Sequence, residues 1–149
     1  MNNCMADAFE TDLQQIVYQY GSPDMEIIDE QDIIQLIQER YPFYGTQIDY
    51  SKLIEPLQID VIGEDGYYDL FVSFFDKVLK DRDLEGTIYC FGDTHTSGAI
   101  KCPLPDIRRL LPKLFDIPQF YYLVSTSWDW VIVFTFVGAN FGFCPNPND

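Results

Sequence analysis

The sequence predicts a single α+β domain in which N-terminal helices pack on a mainly antiparallel sheet formed largely by the C-terminal part of the chain. Apolar residues recur at helical spacing through most of residues 1–85, whereas short apolar segments separated by turn residues dominate the rest. The two kinds of segment do not alternate strictly, which argues against a parallel βαβ sheet. A length of 149 residues with 47% hydrophobic residues is enough for one substantial core. We therefore expect one domain over residues 1–149.

Two helices are predicted before residue 43. The first ends at Gly21-Ser22-Pro23, a stop signal that follows apolar residues at helical spacing, namely Phe9, Leu13, Ile16, Val17 and Tyr20. The second begins after Asp29, which can cap it, with Glu30 and Asp32 placed where the helix dipole favours negative charge. Tyr41-Pro42 ends it, because a residue before proline is disfavoured in a helix.

Residues 43–66 carry weaker signals, which we interpret as a short helix over residues 51–57 and a short strand over residues 58–62. Asp65-Gly66 then marks a turn. A third helix follows, because its apolar residues are spaced i, i+3, i+4, i+7 and i+8: Phe71, Phe74, Phe75, Val78 and Leu79.

The rest of the chain predicts mostly strands. Residues 87–91 and 97–102 read as a β-hairpin, and a fourth helix over Ile107–Leu114 begins near Pro105 and should be distorted or split by Pro112. Residues 120–125, 128–137 and 141–144 then predict an antiparallel meander. Alternation along the middle strand places one set of large side chains on a single face: Trp128, Trp130, Ile132, Phe134 and Phe136.

Negative charge is concentrated in the first part of the chain. The net charge is −15, and residues 1–85 hold 19 acidic and five basic side chains, against five acidic and four basic in residues 86–149. Such a surface repels nucleic-acid phosphates and anionic membranes and attracts basic proteins. We therefore predict a positively charged protein partner, with no direct binding to nucleic acid or membrane.

The cysteines and the single histidine do not predict a metal site or a cofactor. No C-x-x-C pair is present, and His95 is the only histidine, so structural zinc is disfavoured. No secretory signal pattern opens the chain, and we expect a cytoplasmic protein with reduced thiols. The alternative to reduced thiols is a disulfide between Cys90 and Cys102 across the predicted hairpin.

A membrane-spanning segment is not expected either. The longest apolar stretch, Trp130–Cys144, is interrupted by Gly138, Asn140 and Gly142. It is also shorter than the roughly 20 residues that a spanning helix needs. We interpret it as sheet core.

No catalytic residues are predicted. Cys90 and His95 permit a cysteine nucleophile with a histidine base. However, a histidine in a turn is more often an exposed loop residue, and a cysteine on a strand is more often a small core residue. No glycine-rich phosphate loop, G-x-S-x-G elbow or H-E-x-x-H helix is present. We therefore expect a binding protein rather than an enzyme.

The candidate partner-binding residues are carboxylates near helix starts and turns, together with two aromatic residues. Each carboxylate taken singly is also explained by helix capping or turn chemistry, so their sum rather than any one of them indicates a basic partner. Aromatic residues are added because tyrosine and tryptophan are enriched at binding hot spots. The set comprises Asp24, Glu26, Asp29, Glu30, Asp32, Glu64, Asp65, Tyr67 and Trp128.

The closing hairpin carries a resemblance to a known class of proteins. Tyr121-Tyr122-Leu123-Val124-Ser125, a polar turn and Trp128-Asp129-Trp130-Val131-Ile132 resemble the C-terminal hairpin of small acidic bacterial immunity proteins. Those proteins are antitoxins of polymorphic or contact-dependent growth inhibition systems. The resemblance implies an immunity-like domain that binds one cognate basic toxin, of the nuclease type, and occludes its substrate site.

Two other functions are compatible with the sequence. An acidic surface can copy phosphate spacing, so the chain could act as a nucleic-acid mimic that inhibits a DNA- or RNA-binding protein. The second of these functions is that of an uncharacterised enzyme that uses Cys90 and His95. A mimic should bind several unrelated nucleic-acid-binding proteins, whereas an immunity protein should recognise one partner.

Overall fold

The predicted α+β fold is confirmed by a computed structural model, which describes residues 4–45, 47–63, 65–93 and 96–145. Helices precede and interrupt a seven-stranded sheet, and strands dominate the C-terminal part. The helices are α1 (Cys4–Tyr20), α2 (Gln31–Arg40), α3 (Tyr67–Asp81) and α4 (Leu104–Leu114), with a short 3-10 helix at Tyr50–Lys52. Within the described residues, none of these helices is long and apolar enough to cross a membrane.

Every neighbouring pair of strands in the large sheet is antiparallel. The spatial order is β1-β6-β5-β7-β8-β9-β4, so β1 and β4 are the edges. The bounds are β1 (Glu26–Asp29), β4 (Ile54–Asp60), β5 (Thr87–Gly92), β6 (Gly98–Pro103), β7 (Tyr121–Ser125), β8 (Trp130–Phe134) and β9 (Gly138–Phe143). Strands β2 (Phe43–Tyr44) and β3 (Gln47–Ile48) form a separate small hairpin.

The sheet is covered on both faces, because its central strands are apolar on both sides. In β8, Trp130, Ile132 and Phe134 join a core with α1, α3 and α4. The alternate residues Val131 and Val133 join a second core with α2 and the small hairpin. All five residues of β8 are buried, as expected for a strand between two apolar layers.

The structure differs from the prediction at the edge strand. Residues 54–60 form β4 rather than a short helix followed by a strand, because pairing with β9 overrides the weak local preference. The pairing of this strand with β9 shifts register between Ile54 and Leu57, a stretch that contains Pro56. Such irregularities protect exposed sheet edges from pairing with other chains.

Two further predictions are wrong in detail. Helix α4 is not split at Pro112 but runs as one element to Leu114, because its buried leucines hold the last turn against the core while Pro112 is exposed. The strand predicted at residues 128–137 is only Trp130–Phe134. Trp128 has a φ of 67°, which is incompatible with a strand, and Phe136 lies in the next turn.

Candidate functional site

Strand register brings turns from distant parts of the sequence to one end of the sheet. Asp29 pairs with Gly98 and Gly92 with Tyr121. Across the same end, Tyr121 pairs with Phe134, and Asp60 pairs with Gly138. Seven strands at a spacing of about 4.8 Å make this end roughly 29 Å wide. That width suits a protein-sized partner.

We call this region the acidic end, because carboxylates from several loops and helix starts meet there. Helices α2 and α3 both begin at this end, and α4 finishes there. Among the residues that the structure describes, Lys113 is the only lysine or arginine at this end. The carboxylates that define it are Glu10, Asp29, Glu30, Asp32, Asp60, Asp65, Asp69, Asp93 and Asp116.

The opposite end of the sheet carries both signs of charge, and some of these charges pair. Arg82 Nη1 lies 4.0 Å from Glu55 Oε1, and Lys101 Nζ lies 4.0 Å from Glu26 Oε1. The basic residues on this side of the molecule are Arg40, Lys52, Lys80, Arg82, Lys101 and Arg109. The opposite end also holds carboxylates, among them Asp81, Asp83, Glu85 and Asp129, but its basic residues offset part of their charge, so the excess of negative charge is larger at the acidic end.

An exposed apolar patch lies within the acidic end. Ile62, Phe136 and Val137 are 70%, 57% and 55% exposed. The β8–β9 turn presents two of them, because Thr135 closes it: the Thr135 N–H donates to the Gly138 carbonyl at 2.8 Å. The Val61 N–H donates to the Val137 carbonyl at 2.8 Å, which places Ile62 beside this turn.

Next to this patch is a concave site that we call the aromatic pocket. Its volume is about 130 Å³, and it lies between the start of α3, the end of α4 and the β8–β9 turn. The residues that line it are mostly aromatic and include no lysine or arginine: Tyr67, Tyr68, Phe71, Phe115, Ile117, Pro118, Gln119, Tyr121, Phe134, Thr135 and Phe136.

Two loops of the acidic end are tied to each other. The Phe120 N–H donates to Asp93 Oδ1 at 3.0 Å, and the Asp93 N–H donates to the Phe120 carbonyl at 3.2 Å. Gln119 Nε2 donates to Thr96 Oγ1 at 3.0 Å. A Cβ at Gly92 would lie 2.1 Å from the Gln119 side chain, so a larger residue there would displace that amide. These contacts preorganise the surface.

Glu30 is the most perturbed carboxyl of the acidic end. Burial, and then the charges of Glu10, Asp29 and Asp93, raise its pKa to about 7. Glu10 Oε1 is held by the N–H and the hydroxyl of Ser97, at 2.6 and 2.7 Å. The described residues give no hydrogen-bond partner to Glu10 Oε2 or Glu30 Oε2. Like charges are thus crowded where α1 and α2 meet the sheet.

The structure brings together part of the predicted partner-binding set. Asp29, Glu30, Asp32, Asp65 and Tyr67 all lie at the acidic end. Of these, Asp29, Asp32 and Asp65 are exposed. Glu64 lies outside the described residues.

The other predicted partner-binding residues lie away from the acidic end. Asp24 occupies the turn before β1, and Glu26 is paired with Lys101. Trp128 is half-buried on the opposite end, where its ring centroid is 5.8 Å from that of Tyr89. Its carbonyl accepts the Tyr41 hydroxyl at 3.0 Å, so Trp128 is part of the packing of the second core.

The thiols occupy core positions. Cys90 pairs with Ile100 and Cys102 with Ile88, so the two cysteines are not opposite each other, and both are free. Burial raises the pKa of the Cys90 thiol well above its usual value, whereas a nucleophilic cysteine needs solvent access and a lowered pKa. His95 lies outside the described residues. No group of three or more potential metal ligands occurs among the residues described.

The sequence analysis missed the exposed apolar residues of the acidic end and several of its carboxylates. Phe136 and Val137 were expected to lie within a strand, but Thr135 and Gly138 bracket them in a turn. Threonine oxygens commonly close such turns, and the Thr135–Gly138 spacing is the signal that would have revealed it. To assign Asp60, Asp93 and Asp116 to the acidic end, one must know the strand order, which no local pattern encodes.

Comparison of the chain with models of known protein families, with characterised proteins and with solved structures gave no match. The acidic end and its pocket are therefore the features of the molecule that indicate a function.

Proposed function

We propose that this protein is an immunity protein that binds a basic toxin and neutralises it by covering the toxin's substrate site. The observation that carries the proposal is the acidic end, where carboxylates from several loops share one end of the sheet with an exposed apolar patch. Proteins that act on nucleic acids hold phosphates with lysine and arginine. The carboxylates of the acidic end would pair with those side chains and block access to them.

The electrostatics favour rapid capture of such a partner. A larger excess of negative charge on one end than on the other orients an approaching basic protein before contact. The same field repels nucleic acid and anionic lipid. Association should therefore be fast at low salt and slower at high salt.

The apolar patch favours one cognate partner over general mimicry of nucleic acid. A phosphate mimic needs regularly spaced charge, whereas Ile62, Phe136 and Val137 offer apolar contact area beside carboxylates of the acidic end such as Asp60 and Asp65. Apolar and aromatic contacts at the centre of an interface, with a polar rim, are typical of specific protein complexes.

The test is capture and silencing of the partner. The tagged full-length chain is used as bait in a lysate of the cells that make it, with the product of the gene immediately upstream as the first candidate. We expect a stoichiometric basic protein whose toxicity, on expression alone, is suppressed by co-expression of this chain. A candidate that remains toxic beside a folded and abundant copy of this protein would contradict the proposal.

Matched variants show whether the acidic end is responsible. Both triple variants remove the same amount of negative charge from exposed carboxylates, and they differ only in where it is removed. We expect the triple variant at the acidic end to slow association about tenfold at low salt. The triple variant elsewhere should slow it less than about twofold. They are Asp32→Asn, Asp65→Asn and Asp116→Asn at the acidic end, and Asp24→Asn, Asp81→Asn and Glu85→Gln elsewhere.

Capture of many unrelated nucleic-acid-binding proteins, with equal sensitivity to both triple variants, would instead indicate mimicry.

A further inference from the structure

We propose that the aromatic pocket receives an arginine side chain of the basic partner and is the centre of the interface. This inference rests on the proposed function, since it names the group of the partner that the acidic end recognises. The walls, the floor and the rim of the pocket each favour a planar cation.

The walls of the pocket are a preformed set of aromatic rings. The Tyr67 and Tyr68 ring centroids are 5.1 Å apart at an interplanar angle of 88°, and the Tyr68 and Phe115 centroids are 5.4 Å apart. Phe115 in turn contacts Phe134 at 5.1 Å. Aromatic faces attract cations, and a guanidinium also stacks on them because it is planar.

The floor is the carbonyl end of α4, which carries partial negative charge. The Tyr121 hydroxyl donates to the Leu114 carbonyl at 2.6 Å, and the Tyr68 hydroxyl donates to the Phe115 carbonyl. Both phenols thus hold this end of the helix in place. Asp116 follows directly, and burial, Tyr67 and Asp116 together raise the pKa of Tyr68, so its hydroxyl stays a neutral donor.

The rim combines carboxylates with an apolar border. Asp65 and Asp69 flank the first turn of α3 and are exposed, and Asp69 offsets the positive end of that helix dipole. Phe136 forms the outer lip of the pocket, and Val137 lies beside it. Apolar residues around a polar contact exclude water and strengthen the electrostatic attraction inside.

A titration of the full chain with acetyl-arginine methylamide tests this assignment, followed by the backbone amide signals in nuclear magnetic resonance. We expect millimolar binding, with the shifted signals confined to the residues that line the pocket. Acetyl-norleucine methylamide, which has a similar length and no charge, is the comparison ligand. Equal shifts with both ligands, or arginine-induced shifts spread over all exposed carboxylates, would overturn the assignment.

Two neighbouring exposed residues provide a matched pair of variants. Phe136→Ala removes the lip of the pocket, whereas Val137→Ala shortens a residue of similar exposure that does not line it. We expect Phe136→Ala to weaken arginine binding about fivefold and Val137→Ala to leave it unchanged. Equal effects of the two changes would overturn the assignment.

The titration separates failure of this inference from failure of the proposed function. If a captured toxin is neutralised equally well by the wild type and by Phe136→Ala, the pocket is not the centre of the interface, while the immunity function stands. If arginine binds the pocket but no basic protein is captured, the immunity function fails and the cation site stands.

Discussion

The two ends of the sheet are formed from the same strands, yet they differ in the arrangement of their charges. At the opposite end, Arg82 and Lys101 are paired with glutamates, whereas Lys113 is the only described basic residue at the acidic end. The difference teaches that a net charge of −15 does not by itself define a binding surface. The register of the strands defines the binding surface, because it brings together turns that lie far apart in the sequence.

The largest change in the free energy of unfolding is expected for a substitution in β8, the strand that supports the acidic end. Phe134 and Phe136 are two positions apart, but Phe134 is 1% exposed and contacts Phe71 and Phe115. We expect Phe134→Ala to lower the free energy of unfolding by about 3–5 kcal/mol, because it leaves a cavity in the core. Urea unfolding monitored by circular dichroism measures this change.

Phe136→Ala is the matched control, because the same side chain is removed from an exposed position. We expect it to lower the free energy of unfolding by less than about 1 kcal/mol. Similar losses in the two variants would show that Phe136 belongs to the core rather than to a surface available for binding.

A smaller change in the free energy of unfolding is expected for a substitution of Glu30. Its pKa in the folded protein is raised from 4.5 to about 7, so between these values the folded state binds more protons than the unfolded state. The free energy of unfolding therefore falls as the pH rises through this window. We expect Glu30→Gln to be more stable than the wild type above pH 7, by on the order of 1 kcal/mol after solvent screening.

Urea unfolding of both proteins as a function of pH checks this expectation. The stability difference should be largest above pH 7 and should shrink as the pH falls toward 4.5, where the wild-type carboxyl becomes protonated in both states. A difference that is constant with pH would mean that Glu30 is not crowded by the neighbouring carboxylates.

The smallest effect is expected for an ion pair that joins α3 and α4 away from the acidic end. Asp76 accepts two hydrogen bonds from Arg108, at 2.7 and 3.1 Å, but both side chains are substantially exposed. We expect Asp76→Asn to lower the free energy of unfolding by about 0.5 kcal/mol, and less at high salt. A loss as large as that of Phe134→Ala would show that surface charge, not the core, holds the helices together.

Much of the fold could be predicted because its signals are local. The spacing of Phe71, Phe74, Phe75 and Val78 predicts α3, and all four residues are buried. The hairpin of β5 and β6 is likewise placed by its turn residues. The edge strand β4 was missed in part, because its pairing with β9 joins segments far apart in the sequence.

The site was harder to predict than the fold. Asp29, Asp32 and Asp65 were chosen for their position at helix starts and turns, and the register places them at one end. Asp24 is predicted by the same reasoning and Trp128 by its hot-spot chemistry, yet both lie elsewhere. Local chemistry identifies exposed charge, but only the long-range strand order decides which charges share a surface.

The most direct test of the account compares how a cationic and a neutral nitroxide of equal size enhance the relaxation of each backbone amide proton. A negative surface enriches the cationic probe and excludes anions. We predict the highest cationic-to-neutral ratios at the amides of Asp29, Asp65, Asp93 and Asp116, and lower ratios around Lys52, Arg82 and Lys101. Ratios that are uniform over the surface, or highest near Asp24 and Trp128, would contradict the claim that the acidic end attracts the partner.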